Sequence, residues 1–296
     1  MDIRERLTEE SRYIDGALSE SLEHVSGSIL HAAMSYALLS PGKRIRPALC
    51  LAVYEACAHE RTKIKPVLVA VEMVHAYSIV QDDLPSMDNS DLRRGKPTTH
   101  VVHGEDMALL ASDALLTMSF ELLASAALCA DFGVERCVTA VRTLAQLAGE
   151  AGLVGGQAMD VFTSTDQRVE LETIEYIHRN KTASLMEASV LLGGIFGGAS
   201  EADMQRLHLF GQQFGIAYQI VDDIADAALP ASETGKASNQ DVKNSTATYV
   251  SALGLQGARE EALKHLAVAR DAAVNLEIRC ELLTGLVDYA ADRVQH

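Results

Sequence analysis

The chain has 296 residues, 48% of them hydrophobic, which is enough to bury a large core, and its length allows about one or two domains. A net charge of −16 excludes the basic footprint of a sequence-unspecific nucleic-acid binder. Five cysteines, an odd number without a CxxC pair, exclude a disulfide framework or zinc ribbon and point to buried thiols in a reducing compartment.

The N-terminus, "MDIRERLTEE", is charged throughout and lacks the apolar run of a signal peptide. Alanine, leucine, glutamate and methionine abound and alternating strand patterns are scarce, a composition that predicts helix. The first periodic segment, "RPALCLAVYEACA", sets Leu49, Val53 and Cys57 on one stripe. The next, "PVLVAVEMVHAYSIVQDD", aligns Val67, Val71, His75, Ser78 and Asp82. The longest uncharged run, Ala188 to Ser200, is shorter than the ~20 residues a membrane helix needs. We therefore expect a soluble, cytoplasmic protein with no membrane span. A long segment from Ser200 to Leu229 opens with Ser200 and Asp203, a capping-box pattern. Its apolar positions Met204, Leu207, Phe214, Tyr218 and Val221 follow at helical spacing, and Gly211 and Gly215 would let another helix approach closely. The most loop-like stretch is Leu229 to Thr246. Several helices are apolar on more than one face, as central helices are. The expectation is one all-α domain over residues 1–296, a large helical bundle.

Two apolar segments end in aspartates. The first leads into "QDDLPSMDNSDLRRGKPTTH", with Asp82, Asp83, Asp88 and Asp91. Six residues turn a helix by about 600°, so Asp82 and Asp88 would not share a face on an unbroken one. Pro85 removes a backbone donor and breaks or kinks the helix, which lets the carboxylates converge. The second is "DDIAD", where Asp222 and Asp226 share a face and Asp223 lies between. Either run by itself reads equally well as a solvated helix end. Seven carboxylates near one site would repel one another unless a cation joined them, and an all-oxygen set suits Mg²⁺ that shares its shell with phosphate. Cations cluster nearby in sequence: Lys43, Arg44 and Arg46 in "PGKRIRP", then Arg93, Arg94 and Lys96, then Lys181 and Lys236. Guanidinium groups grip phosphate by paired hydrogen bonds and lysines act as point charges, although any one such residue is ordinarily a surface ion pair. His75 lies nearly in line with Asp82 and, taken alone, reads as a core histidine. No HExxH or other zinc-ligand spacing occurs.

Five motifs, "GKRIRP", "DDLPSMDNSDLRRGKPTTH", "GGQAMD", "NKTASL" and "YQIVDDIAD", occur in that order. Together they resemble the trans-isoprenyl diphosphate synthases, most closely the bacterial farnesyl diphosphate synthase (geranyltranstransferase) and plant-type geranylgeranyl groups. The resemblance implies an isoprenoid-synthase helical fold with a central apolar cavity, a homodimer and a Mg²⁺ requirement. It implies that Asp82, Asp88 and Asp222 ligate Mg²⁺ bridging to an allylic diphosphate, with Asp83 and Asp226 in support. Arg93, Lys181 and Lys236 would hold that diphosphate. Gly42, Lys43, Arg46, His75 and Arg94 would hold isopentenyl diphosphate. Thr182 and Gln219 would face the reacting carbons, and Gln157 and Asp160 would line the pocket. The implied reaction is ionisation, condensation and elimination, with the released diphosphate taking the proton. Gln81, Asn239, Thr246 and Val250 depart from the family pattern.

In this family product length depends on the residues before the first aspartates, here Tyr77 and Ser78. Tyr77 is bulky enough to floor a cavity near a C15 chain, and reads equally as core packing. Farnesyl diphosphate is the expected product and geranylgeranyl diphosphate the alternative. A terpene cyclase would have no second diphosphate to hold with "GKRIRP". A non-catalytic helical partner subunit should have lost acidic ligands, and both sets are present here.

Overall fold

The computed structural model describes residues 2–57, 60–163, 169–228 and 248–295. Among them the regular elements are helices, apart from one two-residue ladder. The stretch 229–247, which contains the expected loop with Lys236, Asn239 and Thr246, lies outside the described residues. The chain forms two compact units, residues 1–142 and 143–296.

In the first unit, helix α1 (Ile3–Leu22) buries Ile14, Leu18 and Leu22, spaced four apart on one face. Helix α2 (His31–Leu38) follows, and helix α3 (Ile45–Ala56) holds Leu49 and Val53 on the expected stripe; Cys57 falls just past its end. Helix α4 (Lys65–Asp82) starts with Pro66 in its first turn, where a missing N–H costs nothing. It is buried nearly all round, from Val67 through Val80, because α1, α2, α3 and α6 (Glu105–Leu123) pack against it. The expected stripe grades from buried Val67 and Val71 to half-buried His75, Ser78 and Asp82. The helix therefore carries its polar residues out at its C-terminal end.

After α4 the chain makes the ladder, β1 (Leu92–Arg93) against β2 (Lys96–Pro97), then α5 (Thr99–His103) and α6. Composition had not suggested a strand here. The hairpin loop is Arg94-Gly95 with φ of 52° and 74°, the positive pair that a tight turn between twisted strands requires. The stretch Glu105–Phe132 is long and apolar enough by composition to cross a membrane, its charges notwithstanding, but it breaks at Ser125, whose hydroxyl accepts from Leu128 N–H to cap α7 (Ala126–Phe132). Helix α8 (Val134–Ala148) follows.

In the second unit, α9 (Leu153–Thr163) and α10 (Leu171–Ile177) lead into a π-helical turn at His178–Ala183 and then α11 (Ser184–Gly197). The 28-residue α12 (Glu201–Ala228) packs against α11, the π turn, α13 (Tyr249–Val274) and α14 (Glu281–Gln295). Ser200 caps α12 by accepting from Asp203 N–H at 3.1 Å, as expected. The reciprocal half of the capping box is absent. The Asp203 carboxylate instead accepts from Glu277 N–H at 2.9 Å and Ile278 N–H at 3.4 Å, satisfying backbone donors ahead of α14. Gly211 and Gly215 do admit another helix. A Cβ on either would lie 2.4 Å from the Cα of Glu187 or Ala183 respectively.

Candidate active site

The end of α4 shows how six residues bring two aspartates together. Asp83 N–H still donates to Ile79 O, but Leu84 N–H turns back to Gln81 O and Asp88 N–H donates to Asp82 O at 2.9 Å. Asn89, at φ 48°, and Ser90 close the turn with bonds to Leu84 O and Asp83 O. The break at Pro85 thus folds Asp88 onto Asp82, with Asp82 half-buried and Asp88 exposed. Asp83 points the other way, into the protein, and is 4% exposed.

Its partner is Arg93. The guanidinium Nε donates to both Asp83 oxygens at 2.8 and 3.0 Å, and Nη2 lies 2.7 Å from Oδ1. Burial pushes the Asp83 carboxyl above its ordinary range, against the pull of Arg93. Asp82 and Asp88 act on the same guanidinium, so Arg93 sits in the field of all three carboxylates. The positive-φ hairpin sends Arg94 the other way. Its Nη1 donates to Pro41 O at 2.5 Å, and Gly42 makes room: a Cβ there would lie 2.7 Å from that nitrogen.

Arg44 is the anchor of the "GKRIRP" loop. Its backbone is left-handed at φ 48° and its side chain is buried. The guanidinium donates to Asp15 Oδ1 at 2.8 Å, Glu72 Oε1 at 2.7 Å and Ser40 O at 2.8 Å. Spacing gave no sign that Asp15 and Glu72 belong with this loop, because each comes from a helix interior. Arg46 Nη1 reaches His75 Nε2 at 3.3 Å, which makes that nitrogen the acceptor. Burial, then Arg46, Arg94, Arg93 and Arg44, hold His75 well below its ordinary pKa, so the ring is neutral at physiological pH. Four arginines therefore bear on one imidazole in a protein of net charge −16. A pocket lies here, lined among others by Tyr36, Arg44, Glu72, His75, Arg93 and Arg94. Lys43, next to Arg44 on the same loop, is exposed. Tyr77 and Ser78 are not in its lining. Tyr77 is 3% exposed, its hydroxyl has no hydrogen-bond partner, and burial pushes its pKa up to about 12. Ser78 donates to His75 O at 2.9 Å.

In the second unit, the "DDIAD" run splits by direction. Asp222 and Asp226 are half-buried on one face of α12, and Asp223 turns inward at 4% exposure. Arg293 of α14 lies 3.4 Å from Asp222 Oδ1 through both Nη atoms, a partner no motif disclosed. Asp223 Oδ1 accepts from Gln219 Nε2 at 3.0 Å, and Gln219 Oε1 accepts from the Thr182 hydroxyl at 3.0 Å. His178 Nε2 is 3.6 Å from Asp223 Oδ2, and its ring packs on Tyr249 with centroids 5.1 Å apart. Burial drives the His178 pKa down to about 3, so this contact is made by a neutral ring.

Lys181 and Thr182 sit in the π turn, where the extra residue re-aims side chains relative to an α-helix. Lys181 Nζ donates to Asp160 Oδ2 at 2.7 Å. The close approach of α9 needs Gly156, where a Cβ would lie 2.2 Å from Lys181 N. The "GGQAMD" motif thus supplies both the clearance and the carboxylate; Gln157 beside them is half-buried.

Among the described residues no three His, Cys, Asp or Glu side chains form a ready-made metal cage. Each unit instead offers a pair, Asp82 with Asp88 and Asp222 with Asp226. Such all-oxygen, partly exposed pairs fit Mg²⁺, which keeps waters and takes phosphate oxygens as ligands rather than a full protein shell. In the first unit the pair Asp82 and Asp88 lies in the field of Arg93, one of four arginines around a neutral histidine, an arrangement equipped to bind phosphate esters with a divalent cation; the second unit presents its own pair, Asp222 and Asp226.

The chain belongs to the polyprenyl synthetase family, whose model matches residues 27–278. It is 40% identical over 291 residues to a chloroplastic geranylgeranyl pyrophosphate synthase of Capsicum annuum, covering 97% of this chain and 78% of that one. Among solved structures it resembles an FPP/GFPP synthase from Zymomonas mobilis, with a TM-score of 0.85 and 32% identity over 97% of this chain and 98% of that one. It also resembles a geranyltransferase of Helicobacter pylori complexed with magnesium and isoprenyl diphosphate, with a TM-score of 0.83 and 28% identity over 100% of this chain and 98% of that one. The fold is the all-α isoprenoid-synthase fold, and the protein is a trans-isoprenyl diphosphate synthase by family, a prenyltransferase.

Proposed function

We propose that the protein is a Mg²⁺-dependent synthase that joins isopentenyl diphosphate to an allylic diphosphate, dimethylallyl or geranyl, and releases farnesyl diphosphate. The observation that carries this reading is the arginine nest. Arg46 and Arg94 converge near a neutral His75 on the helix whose end presents Asp82 and Asp88, so a diphosphate anion and a metal-bearing carboxylate pair are served from one element.

In this reading Lys43, Arg46, Arg94 and neutral His75 hold isopentenyl diphosphate, Gly42 leaving the clearance. Asp82 with Asp88, and Asp222 with Asp226, would hold Mg²⁺, which would supply charge neutralisation for the leaving diphosphate. Arg93, braced by Asp83, and Lys181, braced by Asp160, add fixed positive charge to the allylic diphosphate. Their carboxylate partners hold them in place before substrate arrives, so little reorganisation is needed when charge develops on the leaving group. Lys236 has the same role in the proposal and lies outside the described residues. Thr182 and Gln219 face the reacting carbons. No side-chain base is required, because diphosphate accepts the proton lost at elimination, and the neutral His75 stays an acceptor toward Arg46.

The choice of a C15 product rests on Tyr77, a large ring fixed in the core one turn and a residue before Asp82. The second reading, geranylgeranyl diphosphate, is favoured by relatives that carry that name, such as the Capsicum annuum enzyme. A homodimer is part of the proposal, supported by the exposed apolar side chains Val101, Val102, Leu109 and Leu110 on α5 and α6. A cytoplasmic location is supported by five free cysteines. The non-catalytic subunit remains the rival from another class.

Purified protein would be incubated with isopentenyl diphosphate and dimethylallyl or geranyl diphosphate, with and without Mg²⁺. Diphosphate release and product chain length would be measured. The expected result is Mg²⁺-dependent C15 product. Predominant C20 product would establish the second reading, and no turnover with any allylic primer would sink the enzymatic one.

A further inference from the structure

The second aspartate of "DDIAD" is left over by the metal reading, and its surroundings give it a different task. Resting on the proposal that Thr182 and Gln219 face the reacting carbons, we infer that Asp223 is a positioning residue that fixes the polarity of the Gln219–Thr182 pair. Gln219 Nε2 donates to Asp223 Oδ1 at 3.0 Å, so the amide nitrogen faces the carboxylate. The amide oxygen is thereby turned to Thr182, whose hydroxyl donates to it at 3.0 Å. With its proton committed to Gln219, Thr182 Oγ1 has only lone pairs left to offer elsewhere. Without Asp223 the amide could flip, Thr182 would then accept from Gln219, and its proton would be freed to point outward. That polarity matters for an electron-poor allylic carbon, which lone pairs stabilise and an O–H proton does not.

The surroundings favour this role. Asp223 is 4% exposed and points away from the half-buried face that carries Asp222 and Asp226. His178 stands behind its second oxygen at 3.6 Å, wedged against Tyr249, so the carboxylate is backed by a ring held in place. Gly215, one turn before Gln219, packs its Cα against Ala183, beside Thr182, so backbones rather than mobile side chains set the spacing of the pair.

The test is a charge-swapped pair. Q219E sets a second carboxylate against Asp223 and should lower kcat about a hundredfold, the loss typical of a misplaced reacting group. Adding D223N supplies an amide that donates to the new carboxylate and restores an acceptor toward Thr182. The Q219E/D223N double variant should therefore recover at least tenfold in kcat. D223L should lose kcat with KM for both diphosphates and the half-saturating Mg²⁺ concentration within threefold of wild type. In protein labelled with isotopic glutamine, one side-chain amide should be protected from solvent exchange in wild type and unprotected in D223L, whether or not the protein turns over. Failure of the wild type to form product would count against the proposed function alone. An active wild type with no rescue in the double variant, or a Gln219 amide equally protected in D223L, would overturn the positioning role. So would a tenfold or larger rise in the Mg²⁺ requirement of D223N, which would make Asp223 a metal ligand.

Discussion

Replacing Arg44 with methionine should be among the most damaging single changes in the first unit. The side chains of Arg44 and Glu72 are 5% and 4% exposed, and the Glu72 oxygen not bonded to Arg44 has no hydrogen-bond partner. Removing the guanidinium leaves a buried carboxylate without compensation, a loss of about 3–5 kcal/mol. The contact to Asp15, whose side chain is 50% exposed, adds at most about 1 kcal/mol. The left-handed backbone at φ 48° is common to both residues and cancels. At roughly 2–4 °C per kcal/mol, the thermal midpoint should fall by about 6–20 °C. Circular-dichroism melts of R44M and of R44M/E72M would check this. The double variant removes the orphaned charge as well as its partner and should regain most of the loss, since apolar replacement of a whole buried pair is often neutral. A loss below about 1 kcal/mol in R44M, or a double variant that melts no higher than the single one, would refute the claim that Glu72 is what Arg44 neutralises.

D82A should reduce turnover by at least about a hundredfold while leaving the melting curve close to wild type, because the carboxylate is half-buried and its loss opens no core cavity; normal turnover would remove Asp82 from the metal site. Y77F deletes a buried hydroxyl without a partner and should raise stability by about 1 kcal/mol with product length unchanged, whereas Y77A should lengthen the product; chromatography of the prenyl products distinguishes them. The hydrogen bond to Glu187 at 2.8 Å raises the His208 pKa above 6.5, so the stability it contributes is fully present below about pH 6.5 and is lost as pH rises through the raised value. Melts across that window should fall with pH in wild type and lose that component in H208Q. G215A drives a methyl group to 2.4 Å from the Ala183 Cα and should cost about 1–3 kcal/mol by denaturant titration, more than an average surface substitution.

Much of this protein was legible before folding was considered. Apolar spacing in "PVLVAVEMVHAYSIVQDD" marked α4 as a central helix, and Gly211 and Gly215 marked where another helix would press against α12. Pro85 explained how Asp82 and Asp88 could meet, and the turn that closes on Asp82 O is local enough to be predicted from the break alone. These features depend on residues a few positions apart, where backbone geometry and helical period dictate the outcome. Direction was a different matter. The sequence shows Asp82 beside Asp83 and Asp222 beside Asp223 as equals, yet one of each pair turns outward and the other is buried. Nor did charge spacing reveal that Arg44 is spent on Asp15 and Glu72, that Lys181 rests on Asp160, or that Arg293 reaches Asp222. Each of those partners comes from another element, so its identity is decided by packing. Order along the chain specified which kinds of chemistry were present; only the tertiary structure determined which carboxylates are occupied by internal cations, because a buried charge takes whichever opposite charge the fold delivers within reach.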